Sequence, residues 1–262
     1  MTDLTNIEEI VNESGNSFHC KVVNYLRDKK WYTLVSPYYM DSATSKPREI
    51  DLIAEKSWVY HDEIREIYKR VNFKLFVECK YISQPNVFWF SNRDIASATQ
   101  WVTTNTPLHK EYSFMGEHHY LATNHKVAKL FASKNRPNTE NEPIYRALNQ
   151  SLNAMVYMRR RGPMFPELQE QGIPVHATVE MPVILCNSFA DFYRIEMENP
   201  SEPKAVDNNF QLEVNYAYLD DQKINRTEYF LIDIVDFEKL DDFLKVLEND
   251  MNLIFRKFRF DR

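Results

Sequence analysis

The chain has 262 residues, of which 44% are hydrophobic, 27% charged and 14% aromatic, a profile of globular proteins with ample core material. A net charge of −6 and a pI near 5.7 exclude a broadly basic nucleic-acid coat, but not a nuclease, whose carboxylate cluster is itself acidic. No apolar run reaches membrane-spanning length, the acidic start MTDLTNIEEIVNES reads as neither signal nor transit peptide, and three scattered cysteines make no disulfide framework. The expectation is one cytoplasmic domain over 1–262 without membrane contact, with Cys20, Cys79 and Cys186 as small core residues.

In chain order, Phe18, Val22 and Tyr25 or Leu26 fall at helical spacing and predict a helix over 16–29, capped by Ser14 or Asn16. WYTLVSPYY (31–39) reads as a strand, REIDLIAEKSWVY (48–60) as a second and NFKLFVECKYI (72–82) as a third. The charged piece 61–70 between them is a turn or short excursion. Helices are expected over 92–104, 125–134 and 142–161. The arginines that end the last one suit its dipole, and Gly162-Pro163 stops it. Strands follow at 175–188, 189–197, 210–219 and 228–235, with a loop at 199–209. An amphipathic helix over 236–251 has Asp236 as its cap, and the basic, aromatic 255–262 reads as a strand or tail. This order favours a mixed α/β fold, with a core over 13–164 and strands and a helix in 165–262 that extend the sheet or add a layer.

FVECKYI (76–82) raises the functional question. Alternation puts Phe73, Leu75, Val77, Cys79 and Tyr81 on one face of the third strand and Lys74, Phe76, Glu78 and Lys80 on the other. In the second strand Glu49, Asp51, Ile53 and Glu55 share a face. If the two strands are neighbours, Asp51, Glu78 and Lys80 converge. Adjacent carboxylates repel unless a cation lies between them, and Mg²⁺ accepts one or two carboxylates with further oxygens such as the Cys79 carbonyl. A divalent ion there would polarise a phosphoryl oxygen and activate water, while Lys80 orients that water and offsets developing charge. Taken alone, an E-x-K strand is commonly just a solvated face.

The succession GNSFHCKVVNYLRDKKW, REIDLIA, FVECKYI resembles the PD-(D/E)xK nuclease superfamily, of restriction-endonuclease-like fold, and within it the Mrr-like branch. The likeness is close over about 13–82 and loose beyond. It implies a mixed sheet flanked by helices and Mg²⁺-dependent hydrolysis of nucleic acid, DNA foremost, with Mn²⁺ as a substitute ion. Asp51 and Glu78 would bind metal and Lys80 would be the catalytic lysine. Mrr-like helices carry glutamate after the phenylalanine, where this chain has His19. Glu13 either completes the site or serves the helix dipole. Gln150 corresponds either to the glutamine that relatives place on a later helix or to an ordinary half-buried residue. Restriction-type cutting of both strands would favour a homodimer. The alternatives are a catalytically silent nuclease-fold binding protein and a defence effector switched on by a partner or signal.

Other motifs carry less. His118, His119 and His125 suggest zinc, but no cysteine or carboxylate stands at ligand spacing along the chain. No dinucleotide fingerprint, P-loop or nucleophile elbow is present.

Overall fold

The computed structural model describes residues 11, 15–41, 43–122, 126–133, 142–159, 164–165, 168, 172–200, 202–220 and 222–260. Helix α1 (Asn16–Asp28) buries Phe18, Val22, Val23 and Leu26, the predicted face. Its N-cap is Gly15 at φ 70° with no side-chain cap, so Asn16 is the first helical residue rather than the cap; Ser14 lies outside the described residues. Glycine suits that left-handed position because it carries no Cβ.

The predicted strand 31–39 is two strands, β1 (Tyr32–Val35) and β2 (Tyr38–Met40). Ser36 adopts φ 51° and Pro37 follows, which turns the chain out of the sheet. The predicted second strand divides at the matching place into β3 (Pro47–Glu49) and β4 (Leu52–Asp62). β2 and β3 pair as a separate hairpin, while β1 and β4 pair in the main sheet. Two bonds lock the shared bend: Ser36 N–H donates to the Asp51 carbonyl (2.9 Å) and Ile50 N–H to the Pro37 carbonyl (3.1 Å).

β4 runs antiparallel to β5 (Ile67–Lys80) around the turn 63–66, with Glu66 at φ 53°. The presumed excursion 61–70 is therefore mostly strand. The segment after it holds an unpredicted strand, β6 (Asn86–Ser91). Helix α2 (Ile95–Asn105) begins at Asp94, whose carboxylate accepts from Ser97 N–H. The predicted helix 125–134 is instead strand β7 (Val127–Ser133), paired with β6. Its Val127, Leu130 and Phe131 have helical spacing as well, and sheet pairing overrides so short a pattern. Helix α3 (Pro143–Met158) starts at Glu142, which accepts from Tyr145 N–H, and buries Ala147, Leu148, Ser151, Leu152, Ala154 and Met155.

The later strands are β8 (Val175–Cys186), β9 (Phe192–Glu196), β10 (Lys204–Ala205, inside the expected loop), β11 (Phe210–Leu219) and β12 (Asn225–Asp236). Asp236 caps a 3-10 turn, Phe237–Lys239, by accepting from Glu238 N–H, and helix α4 (Leu240–Phe260) follows. The basic 255–260 stretch is thus the end of α4, not a strand or tail.

One mixed sheet has ten strands in the order β1-β4-β5-β8-β12-β11-β7-β6-β9-β10. The C-terminal strands extend the sheet begun by the N-terminal half. β5 and β8 run parallel with α3 between them in sequence. Pro182, mid-strand in β8, has no N–H to give a second neighbour, and the ladder to β12 begins only at Val183. β5 is buried on both faces. Trp58 and Phe73 stack edge-to-face on one side, and Tyr60 there meets Phe255 and Phe258 of α4. On the other side α3 is tied down by Ser151 Oγ, which donates to the Phe76 carbonyl (2.8 Å).

That second face also carries a buried charged row across β4, β5 and β8. Lys74 Nζ lies 3.3 Å from Glu55 and 3.6 Å from Glu180. Of the cysteines only Cys186 is buried; Cys79 is half-buried and Cys20 exposed, contrary to expectation. Among the described residues no helix is long and apolar enough to cross a membrane.

Candidate active site

The bend before β4 builds the site. The β4–β5 ladder ends at Leu52 opposite Val77, because Ile50 has already turned its N–H to Pro37. Cys79 N–H is thereby released from the ladder, and Asp51 Oδ2 accepts it at 2.8 Å. Asp51 N–H in turn donates to Glu78 Oε1 (3.3 Å). Two carboxylates that are 27 residues apart in the chain thus face each other, with Glu78 fully buried and Asp51 about a quarter exposed.

Lys80, next but one along β5, places Nζ 2.7 Å from Glu78 Oε2 and 4.0 Å from Asp51 Oδ2. The same ammonium donates to Gln150 Oε1 of α3 at 3.5 Å. Asn187 holds this end of β5: its N–H donates to the Lys80 carbonyl (3.1 Å), and its Oδ1 accepts from Ile82 N–H (2.6 Å). Asp51, Glu78, Lys80 and Gln150 therefore meet. Cys79 turns its N–H toward Asp51, and its carbonyl leaves the strand on the same side. Glu13 lies outside the described residues. His19 is half-buried with Nε2 unpartnered. It lies near Glu49, whose carboxyl is held low by the Ser36 and Tyr38 hydroxyls first and by His19 in addition.

Burial pushes the Glu78 carboxyl up to about 8; Lys80 pulls it down and Asp51 pushes it further up. Burial thus favours the protonated form of Glu78 in the free site, against the pull of Lys80. Tyr39 of β2 was not singled out in the sequence. It is buried, its hydroxyl donates to the Gln150 carbonyl (3.5 Å), and burial followed by the field of Glu78 raises its pKa. No sequence signal links Tyr39 to Gln150, 111 residues away. Ser151, which anchors α3 beside Gln150, was equally invisible.

Compared with known proteins, the chain matches no family model, no curated protein and no solved structure.

A second polar cluster lies elsewhere, where β11 and β12 meet α4. The sequence offered His118 and His119 no carboxylate partner; the fold supplies Asp250 from α4 and Asp233 from β12. Ligand atoms of His118, His119 and Asp250 fall within 4.8 Å of one another. Both ring nitrogens of His119, however, face carboxylates. His119 Nδ1 bonds Asp250, and its Nε2 faces Asp233 at 3.4 Å. Burial opposes charge on His119, but the two aspartates outweigh it and raise its pKa to about 10. His118 Nδ1 accepts Tyr120 N–H (3.2 Å), so its hydrogen sits on Nε2, and burial lowers its pKa to about 4. Tyr120 Oη donates to Asp233 (2.6 Å), and Gln211 links that carboxylate to buried Arg93. Imidazolium and guanidinium balance the two carboxylates, while buried His118 Nε2 is left without a hydrogen-bond partner, 3.5 Å from Asp250. The third histidine of the sequence reading, His125, lies outside the described residues.

Proposed function

We propose that this chain is a metal-dependent nuclease that hydrolyses nucleic-acid phosphodiesters, DNA first among its substrates, on a restriction-endonuclease-like frame. The observation that carries the reading is the meeting of Asp51, Glu78, Lys80 and Gln150 around one ammonium at the end of β5. The frame is supported by the succession α1, β1, β4, β5, α3, β8, with β1–β4–β5 antiparallel and β8 parallel to β5.

The residues fit Mg²⁺ or Mn²⁺. Both acids offer hard oxygen donors, and a single Lys80 charge is now shared between them, as expected of a site that attracts cations. Asp51 and Glu78 would hold the ion, with the Cys79 carbonyl as a further oxygen. A bound divalent ion supplies positive charge against the phosphate and the attacking water. Glu78 must release its proton for this. Lys80 holds the attacking water through Nζ and offsets charge that develops on the phosphate; Gln150 keeps Lys80 oriented. Burial beneath the middle of α3 limits access of bulk water to Glu78.

A second reading, a nuclease held silent until a partner or signal engages it, is favoured by one feature. Glu78 is fully buried, and that burial raises its carboxyl against ionisation in the free chain.

The test is cleavage of supercoiled plasmid, linear DNA and RNA with Mg²⁺ or Mn²⁺, beside EDTA controls and Lys80→Ala. We expect metal-dependent cutting that Lys80→Ala lowers by about 10²–10³-fold or more. Cutting that persists in Lys80→Ala would overturn the assignment, and absence of both cutting and metal binding would end the nuclease reading.

A further inference from the structure

A cleft of about 130 Å³ opens beside the candidate site, between the β2–β3 hairpin, α3 and the far end of β11. Its lining includes Tyr39, Asn153, Tyr157, Tyr216, Tyr218 and Leu219. Four tyrosines from three elements in one small cleft are unusual for a surface depression, and their order is informative. Gln150, Asn153 and Tyr157 stand at i, i+3 and i+7 on α3, so the cleft follows one helix face away from the catalytic residues. Tyr39 joins the two: its hydroxyl donates to the Gln150 carbonyl (3.5 Å), and its ring lies 6.2 Å from that of Tyr157. From Gln150 to Tyr157 the helix rises about 10 Å, the span of two or three nucleotides at a stacked spacing of about 3.4 Å.

The far end holds an ion pair, with Arg159 Nη1 2.9 Å from Glu228 Oε1. The Arg159 guanidinium lies over the Tyr218 ring at 5.6 Å and donates to its hydroxyl (2.6 Å). Lys46 and Arg48 are exposed on the hairpin, and Arg48 lies 3.5 Å from Asp41, which lines the cleft. Aromatic rings in a narrow groove suit unpaired bases, since every base has a π-face that aromatic side chains can stack on. Bases inside a duplex are stacked on each other and cannot enter.

From this we infer that the cleft receives an unpaired base of the strand being cut, two or three nucleotides from the scissile phosphate, and that the substrate is single-stranded nucleic acid or a duplex with an unpaired end or flap. The inference rests on the nuclease reading for its scissile phosphate, and the cleft's role as a base-binding surface can be tested separately.

The experiment uses the full chain in EDTA, with a short labelled DNA strand and its blunt duplex, and with the same strand bearing 2-aminopurine. We expect the single strand to bind at least about tenfold more tightly than the duplex and 2-aminopurine fluorescence to be quenched on binding. Tyr157→Ala should cost about tenfold in single-strand affinity, while Tyr157→Phe, which keeps the ring, should retain it. Equal affinity for duplex and strand, unquenched 2-aminopurine in the wild type, or wild-type affinity in Tyr157→Ala would overturn the inference. Magnesium-dependent cleavage is read in parallel. Tyrosine-dependent binding without cleavage would sink the nuclease reading alone, and cleavage with wild-type binding in Tyr157→Ala would sink this one alone.

Discussion

Metal binding at Asp51 and Glu78 should release a proton, and its strength should follow pH accordingly. Glu78 is fully buried, and burial raises its carboxyl to about 8 despite Lys80 at 2.7 Å. At pH 7 ionising such a group costs about 1.4 kcal/mol, roughly a factor of ten in apparent metal affinity. The ionised fraction rises about fiftyfold between pH 6 and pH 8, so Mn²⁺ should bind about fiftyfold more tightly at pH 8 than at pH 6. Titration calorimetry in two buffers of different ionisation enthalpy counts the protons directly. We expect close to one released per ion at pH 6.5, and none in Glu78→Gln, which should bind weakly at every pH. A flat affinity between pH 6 and pH 8 with no proton released would mean that Lys80 already keeps Glu78 ionised, and the electrostatic argument would be wrong. The same group makes the metal-free protein less stable as pH rises. A carboxyl raised in the folded state stabilises fully below its unfolded value near 4.5, and that contribution is lost as pH climbs through about 8.

Three further outcomes follow from the geometry. Gln150→Ala should lower the cleavage rate about tenfold with little change in melting temperature, because it only orients Lys80; an unchanged rate at saturating substrate would remove Gln150 from the site. Lys74→Met leaves Glu55 and Glu180 buried without their shared cation and should cost about 3–5 kcal/mol in chemical denaturation, a loss that a value near zero would refute. His119→Gln should destabilise the protein at pH 7 by removing the cation between Asp233 and Asp250. In the wild type that imidazolium stabilises fully below about pH 6.5, and the benefit disappears as pH rises through about 10. Melting temperatures from pH 7 to pH 10.5 should therefore fall more steeply in the wild type than in His119→Gln, and parallel curves would contradict the charge assignment.

Local pattern was enough for the elements whose burial is one-sided or continuous. The α1 face of Phe18, Val22 and Leu26, the α3 face flanking Gln150, and strands such as β11 follow from side-chain period alone. Asp51, Glu78 and Lys80 were legible for the same reason: alternation puts Glu78 and Lys80 on one face wherever β5 is a strand. Short segments were not legible. Val127–Ser133 fits either period, and its pairing with β6 decided the matter. The split of 31–39 and 48–60 depends on Ser36 and Asp51 bonding across the bend, a contact between separate strands.

The sequence by itself determined which side chains bring chemistry and which faces they share, because those depend on the geometry of consecutive residues. Only the tertiary structure decided who meets whom. Register set Asp51 against Glu78, the return of α3 brought Gln150 to Lys80 and Tyr39, and α4 delivered Asp250 to His119 across 131 residues. Such pairings arise from burying distant segments together, and the free energy that selects them belongs to the whole core rather than to any local stretch.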